Sequence, residues 1–233
     1  TAATTTTTAA PTSCATGATC IVGDTGPGGG IVFYVASVDF TSTGSDCNTS
    51  CRYLEAAPTD QSTESWWTKE VYSCYAEGFN FPEANCWLYS IYPNSADQSA
   101  SRTASTSIGI GMSNTNRIYA RMAAGSVNTS EYAAGVAYAY TNNGKTDWHL
   151  PSQSELNQMC KWQRGRPWTS NATVCSGGTL NSGRNASNFV DNWYWSSSEW
   201  SRDSALDQDF STGEQVSTIK GYGDRVRAVR AFG

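Results

Sequence analysis

Apolar and polar positions along this 233-residue chain fall into short segments of two different periods. The unbroken apolar run IVFYVA at 31–36 reads as a buried strand, and 52–57 as a second short one. Residues 58–100 follow no period and are aromatic, with Trp66, Trp67, Tyr72, Tyr75, Phe79, Phe81 and Trp87. A helical period begins near 114. Ile118 and Met122 lie one turn apart, with Asn114 or Thr115 as the expected cap. The Ala-rich stretch 131–140 suggests a second helix. Ser152 and Glu155 form an S-x-x-E capping box, and Leu156, Met159 and Cys160 follow at core-facing spacing, which predicts a helix over 153–162. Four strands are predicted at 193–198, 205–210, 215–220 and 225–232, with a hairpin turn at 211–214. In the second of these, Leu206, Gln208 and Phe210 alternate with Ala205, Asp207 and Asp209. Helices in the middle and a β-meander at the end indicate an α+β fold.

Residues 1–13 are almost wholly Thr and Ala, too poor in apolar groups to bury a core. They read as a stalk or linker, or as an added strand given the β propensity of Thr. Residues 14–233 form the globular domain. No apolar run approaches the ~20 residues that span a bilayer, and no basic, apolar leader is visible, so the chain reads as a mature secreted product. A formal charge of −5 and a pI near 4.9 argue against nucleic acid or an anionic membrane as the main partner. Nine Trp and twelve Tyr suit polar, stacking-based recognition as well as a core.

Eight cysteines fall as four close pairs: Cys14 with Cys20, Cys47 with Cys51, Cys74 with Cys86, and Cys160 with Cys175. Eight cysteines allow 105 pairings, of which neighbour-with-neighbour closes the shortest loops. Zinc is disfavoured because His149 is the only histidine and only Cys47 and Cys51 have a ligand-like spacing. Disulfides point to an oxidising, extracellular setting.

Six segments recur in order: GDTGPGGGIVFY at 23–34, LEAAP at 54–58, IGIGMSNT at 108–115, WHLPSQSELN at 148–157, YWSSSE at 194–199 and VRAVRAF at 226–232. Together they resemble the bacterial surface-protein domain family named after the C-terminal domain of the Legionella collagen-like adhesin. The resemblance covers roughly residues 20–232. It implies a C-type-lectin-like fold, with two main helices around a small, looped antiparallel sheet, and a role in adhesion. The family's namesake is similar to a trimeric binder of sulfated glycosaminoglycans, but this chain is acidic and has no basic run, so that specificity does not carry over.

The same resemblance puts the ligand surface on the late sheet and its loops, here Trp200, Ser201, Arg202, Asp203, Asp207, Gln208 and Asp209. Trp193 and Trp195 read as core residues rather than a sugar platform. Glu199, Asp203, Asp207 and Asp209 offer oxygens to calcium, which takes six to eight. They lack an EF-hand spacing, so a solvated acidic face without cofactor is expected, paired with Arg225, Arg227 and Arg230. His149, between Trp148 and Leu150, reads as a packed structural residue. No G-x-S-x-G elbow or P-loop occurs, so no catalytic residue is assigned. Two functions stay open: a non-catalytic adhesion module for a glycan or surface protein, and a subunit of a filament or pilus joined through the N-terminal tail.

Overall fold

The computed structural model describes residues 13–69, 106–124, 126–163, 175, 189–201 and 204–233. Residues 1–12, the Cys74–Cys86 pair, Arg202 and Asp203 lie outside the described residues. The described chain is α+β, with eight strands in two sheets and three α-helices. Strands β1 (Ile31–Ser42), β2 (Asn48–Ala56) and β8 (Val229–Phe232) form an antiparallel sheet in the order β1-β2-β8. Strands β3 (Ser62–Ser65), β4 (Trp193–Glu199), β5 (Ser204–Asp209), β6 (Gln215–Ile219) and β7 (Asp224–Val226) form a second sheet, ordered β3-β7-β4-β5-β6. Helices α1 (Gly111–Ala124), α2 (Ala133–Ala139) and α3 (Gln153–Gln163) complete the set.

Two features depart from the single antiparallel sheet expected. Strand β4 meets β7 in parallel through Tyr194 and Arg225, and the predicted strand 225–232 is divided between the two sheets. The break has a local cause. Ala57 N–H donates to the Ala228 carbonyl at 2.9 Å, while Ala228 N–H donates to Gln61 Oε1 at 2.5 Å. The backbone of Ala228 is thereby drawn out of one ladder, and Val229 pairs with Ala56 in the other.

Helix α1 also begins three residues before its expected cap. Asn114 and Thr115 lie inside it and are buried. Asn114 Nδ2 reaches Ser197 Oγ at 3.4 Å, and Thr115 Oγ1 accepts from Leu150 N–H at 3.0 Å. Polar groups of this kind favour helix ends when they have only their own backbone to bond; here they bridge to another segment. The capping box of α3 forms as predicted. Ser152 N–H donates to Glu155 Oε2 at 2.8 Å, and Glu155 N–H to Ser152 Oγ at 3.3 Å.

Three apolar clusters fill the interior of the described residues, the smallest packing Cys14 and Cys20 on Val32 and Phe232. Of the two larger, one joins α1 and α2 to the five-stranded sheet through Ile118, Met122, Tyr132, Trp148, Trp195 and Val226. The other joins α3 to the three-stranded sheet through Phe33, Leu54, Leu156, Met159 and Val229. Cys14–Cys20, Cys47–Cys51 and Cys160–Cys175 are disulfides, with Cα–Cα separations of 4.7, 5.0 and 5.9 Å.

Gly109 ties these parts together. Its φ of 87° is left-handed, its N–H donates to Glu155 Oε1 at 2.8 Å, and a Cβ there would run into the Thr41 carbonyl oxygen. Gly109→Ala is expected to cost about 2–4 kcal/mol, combining the left-handed penalty with overpacking. A urea midpoint within error of wild type would refute this.

Candidate functional site

Burial divides the predicted ligand residues into two groups. Trp200, just past β4, is 43 % exposed, and Ser201 is partly exposed with its hydroxyl 2.6 Å from that of Ser204. Asp207, Gln208 and Asp209, by contrast, are all buried. Gln208 Nε2 donates to Asn157 Oδ1 at 3.1 Å and to the Gly213 carbonyl at 3.2 Å, fastening β5 to α3 and to the hairpin turn. Asp209 accepts from Ser211 N–H and Ser211 Oγ at 2.7 Å, and from Thr212 Oγ1 at 2.9 Å. These bonds satisfy its carboxylate within the turn, and its pKa ends below the ordinary value although burial acts to raise it. The expected solvated acidic face is therefore absent at Glu199, Asp207 and Asp209, which are all buried.

Exposed aromatic and aliphatic side chains on connected segments of the five-stranded sheet, an aromatic rim, take its place. Trp200 N–H donates to the Ser204 carbonyl at 3.0 Å, and Ser204 pairs with Ile219 in the β5–β6 ladder. Tyr222 N–H closes a turn onto the Ile219 carbonyl at 3.0 Å, and Trp67 N–H donates to the Lys220 carbonyl at 2.9 Å. This chain of bonds links Trp200, Ile219 and Tyr222 to the Trp66–Trp67 pair. Trp66 is 41 % exposed, Ile219 37 % and Tyr222 60 %. Sequence reasoning found Trp200 and missed the other three. Available signals were the adjacent Trp66 and Trp67 in an irregular aromatic stretch, and Tyr222 standing between two turn glycines, Gly221 and Gly223.

Charged groups are packed beneath this rim. Lys220 and Glu199 form a buried ion pair, with the ammonium 4.6 Å from the centre of the Trp67 ring. Asp207 and Asp224 lie within hydrogen-bonding reach of each other. Burial, reinforced for Asp207 by the neighbouring carboxylate, pushes Asp207 up to about 7; burial pushes Asp224 up to about 6. Thr218 Oγ1 donates to Asp207 Oδ2 at 2.7 Å.

The arginines pair elsewhere than expected. Arg225 Nη1 lies 3.0 Å and Arg227 Nη2 2.6 Å from the carboxylate of Asp60. Arg230 is buried and contacts Asp46, Glu55 and Asp147, the first two at 2.8 and 3.1 Å. The glycine-rich run at 23–30 serves this network, since Gly28 and Gly30 N–H donate to Glu55 at 2.9 and 3.0 Å. His149 is fully buried, its Nε2 3.4 Å from Glu155 Oε2, and its backbone bridges to Val229. Trp195 is fully buried and donates from Nε1 to the Ser65 carbonyl at 2.8 Å, whereas Trp193 is partly exposed.

Two open clefts, of about 560 and 520 Å³, meet at Asp46. Lys145 and Arg230 line the first, beside the stacked rings of Tyr53 and Phe232; Asn116 and Tyr138 line the second. Among the described residues no group of three or more His, Cys, Asp or Glu side chains is placed to hold a metal ion, and no helix is long and apolar enough to cross a membrane. No protein-family model and no curated protein matches this chain.

Proposed function

We propose that this chain is an extracellular, non-catalytic binding module of C-type-lectin-like architecture that recognises a glycan or another surface ligand through its aromatic rim. The observation that carries this reading is the exposure of Trp66, Trp200, Ile219 and Tyr222, each by more than a third, on segments of one sheet that a chain of backbone bonds connects. An exposed apolar patch marks an interaction site, and this reading takes the four side chains to form one. Trp and Tyr suit a sugar's apolar ring face because each combines a flat apolar body with a polar edge. The late-sheet position agrees with the family resemblance in the sequence. Three local disulfides support the extracellular setting.

A glycan array probed with the wild type and with Trp200→Ala and Tyr222→Ala tests the reading. Each variant is expected to lose roughly tenfold or more in affinity, the scale of an aromatic anchor, while its unfolding midpoint stays unchanged. Undiminished binding by both variants would move the site away from the rim.

A second reading, a filament or pilus subunit, is favoured by one observation. Strand β6 lies at an edge of the five-stranded sheet and is only partly covered. Such an edge can pair with a strand from another copy, the N-terminal tail included. Electron microscopy of purified protein separates the two: regular fibres that disappear on deletion of residues 1–13 favour assembly, and a uniform small particle favours the binding module.

A further inference from the structure

Asp207 on β5 and Asp224 on β7, strands with β4 between them, are both at least nine-tenths buried, and their side chains come within hydrogen-bonding reach of each other. Asp207 Oδ2 accepts from the Thr218 hydroxyl, but Asp207 Oδ1 and Asp224 Oδ2 find no donor among the described residues. Two ionised carboxylates cannot bond to one another, because each only accepts. One proton between them supplies the missing donor and removes one of two like charges from a poorly solvated site.

The surrounding charges are engaged elsewhere, except that the buried Nε–H of Arg225 finds no acceptor among the described residues. Glu199 of β4 is paired with Lys220, and Arg225 of β7 with Asp60. Glu64 of β3 lies against Gly223, and Asp209 of β5 is satisfied by its own turn. Of the helices packed on this sheet, α1 carries Arg117 and Arg121, α2 carries no charge, and α3 carries Glu155 and Lys161. Strand β6 contributes only the Thr218 hydroxyl.

We propose that Asp207 and Asp224 share one proton, and that this proton clasps the turn 220–223, with its rim residue Tyr222, against the β5–β6 hairpin, so that binding at the rim weakens as the medium becomes alkaline. The binding half of this statement rests on the rim reading above; the clasp does not. The turn connects β6 to β7, and Asp224 is the first residue of β7. Loss of the bond at Asp224 therefore removes a side-chain tether at the far end of the turn, where the backbone of Asp224 stays paired with Ser65. The sign follows from the direction of both shifts. A carboxyl with a raised pKa holds its proton in the folded chain at a pH where the unfolded chain has released it. Stability from this source is full below the ordinary value near 4 and is lost as the pH rises through the folded values of about 6 and 7.

Carboxyl carbon NMR of the wild type, followed from pH 3 to 9, reads the pair directly. The expected result is titration of both residues well above the ordinary aspartate value, with lower amide protection factors at 221–224, after correction for the base-catalysed intrinsic rate, at pH 8 than at pH 5.5. Asp207→Asn and Asp224→Asn, each placing an amide donor between the two side chains, are expected to flatten the fall of the thermal midpoint between pH 5.5 and 8. Both aspartates titrating near 4, or a midpoint whose pH dependence neither Asn variant alters, would overturn the clasp. So would a calcium-induced rise in the midpoint at pH 8 that EDTA reverses, since a cation would then fill the gap. Trp200→Ala is expected to leave the titration unchanged. If the wild type titrates as stated but Trp200→Ala and Tyr222→Ala leave glycan binding intact, the rim reading fails and the clasp stands.

Discussion

Arg230→Leu is expected to lower the unfolding free energy by about 3–5 kcal/mol, the cost of breaking a buried ion pair from one side. Arg230 is 1 % exposed and touches three carboxylates that approach from different parts of the chain: Asp46, Glu55 and Asp147. Removing the guanidinium strands Glu55, which is fully buried and would keep only the Gly28 and Gly30 N–H groups. Burial already raises the Glu55 pKa against the lowering effect of those N–H groups and of Arg230. The defect should therefore shrink at acid pH, where Glu55 can take a proton. Urea unfolding at pH 7 and pH 4.5 checks the magnitude and the direction. Adding Glu55→Gln should recover part of the loss, because the two residues form one network. A cost below about 1 kcal/mol, the range of a solvated ion pair, would show that the network contributes little.

Glu155→Ala is expected to cost about 2–4 kcal/mol, more than an ordinary helix cap. Removal of a cap alone costs roughly 1 kcal/mol, and each buried donor left unpaired adds about 1–3 kcal/mol. Glu155 is fully buried and accepts from Ser152 N–H in its own capping box and from Gly109 N–H, 46 residues away. Glu155→Gln retains one acceptor oxygen and should fall between the wild type and the Ala variant. Amide exchange at Gly109 is the specific readout. If Glu155→Ala frays only the first turn of α3 and leaves Gly109 protected, the side chain is a local cap and nothing more.

Glu155 also marks how far sequence reasoning reaches. The capping box was legible because Ser152 and Glu155 are three residues apart and the bond is closed by local geometry. The second role was not, since no local pattern announces a bond to Gly109. The strands 193–198, 205–210 and 215–220 could be read from alternation, and the observed elements differ by a residue at their ends. Burial of both faces of β5 could not be read. Alternating Asp207 and Asp209 resembles a wetted face, and only the packed structure supplies the Thr218, Ser211 and Thr212 hydroxyls that let those carboxylates be buried. The cysteine pairs near one another in sequence formed as the shortest-loop argument expects at three of the four pairs, the fourth lying outside the described residues.

Trp200 came to notice as a loop aromatic after a strand, whereas Tyr222 and Trp66 became its neighbours through backbone bonds between distant segments. The amino-acid sequence by itself determined the α+β class, the α3 cap and the short disulfide loops, because each depends on contacts between residues close along the chain. Tertiary structure decided the division of 225–232 between two sheets, the burial of the charged residues and the make-up of the rim. These depend on how strands and turns pack on one another, from the Asp209 turn to the Arg230 network that joins residues more than 80 apart, and a local pattern carries no record of that packing.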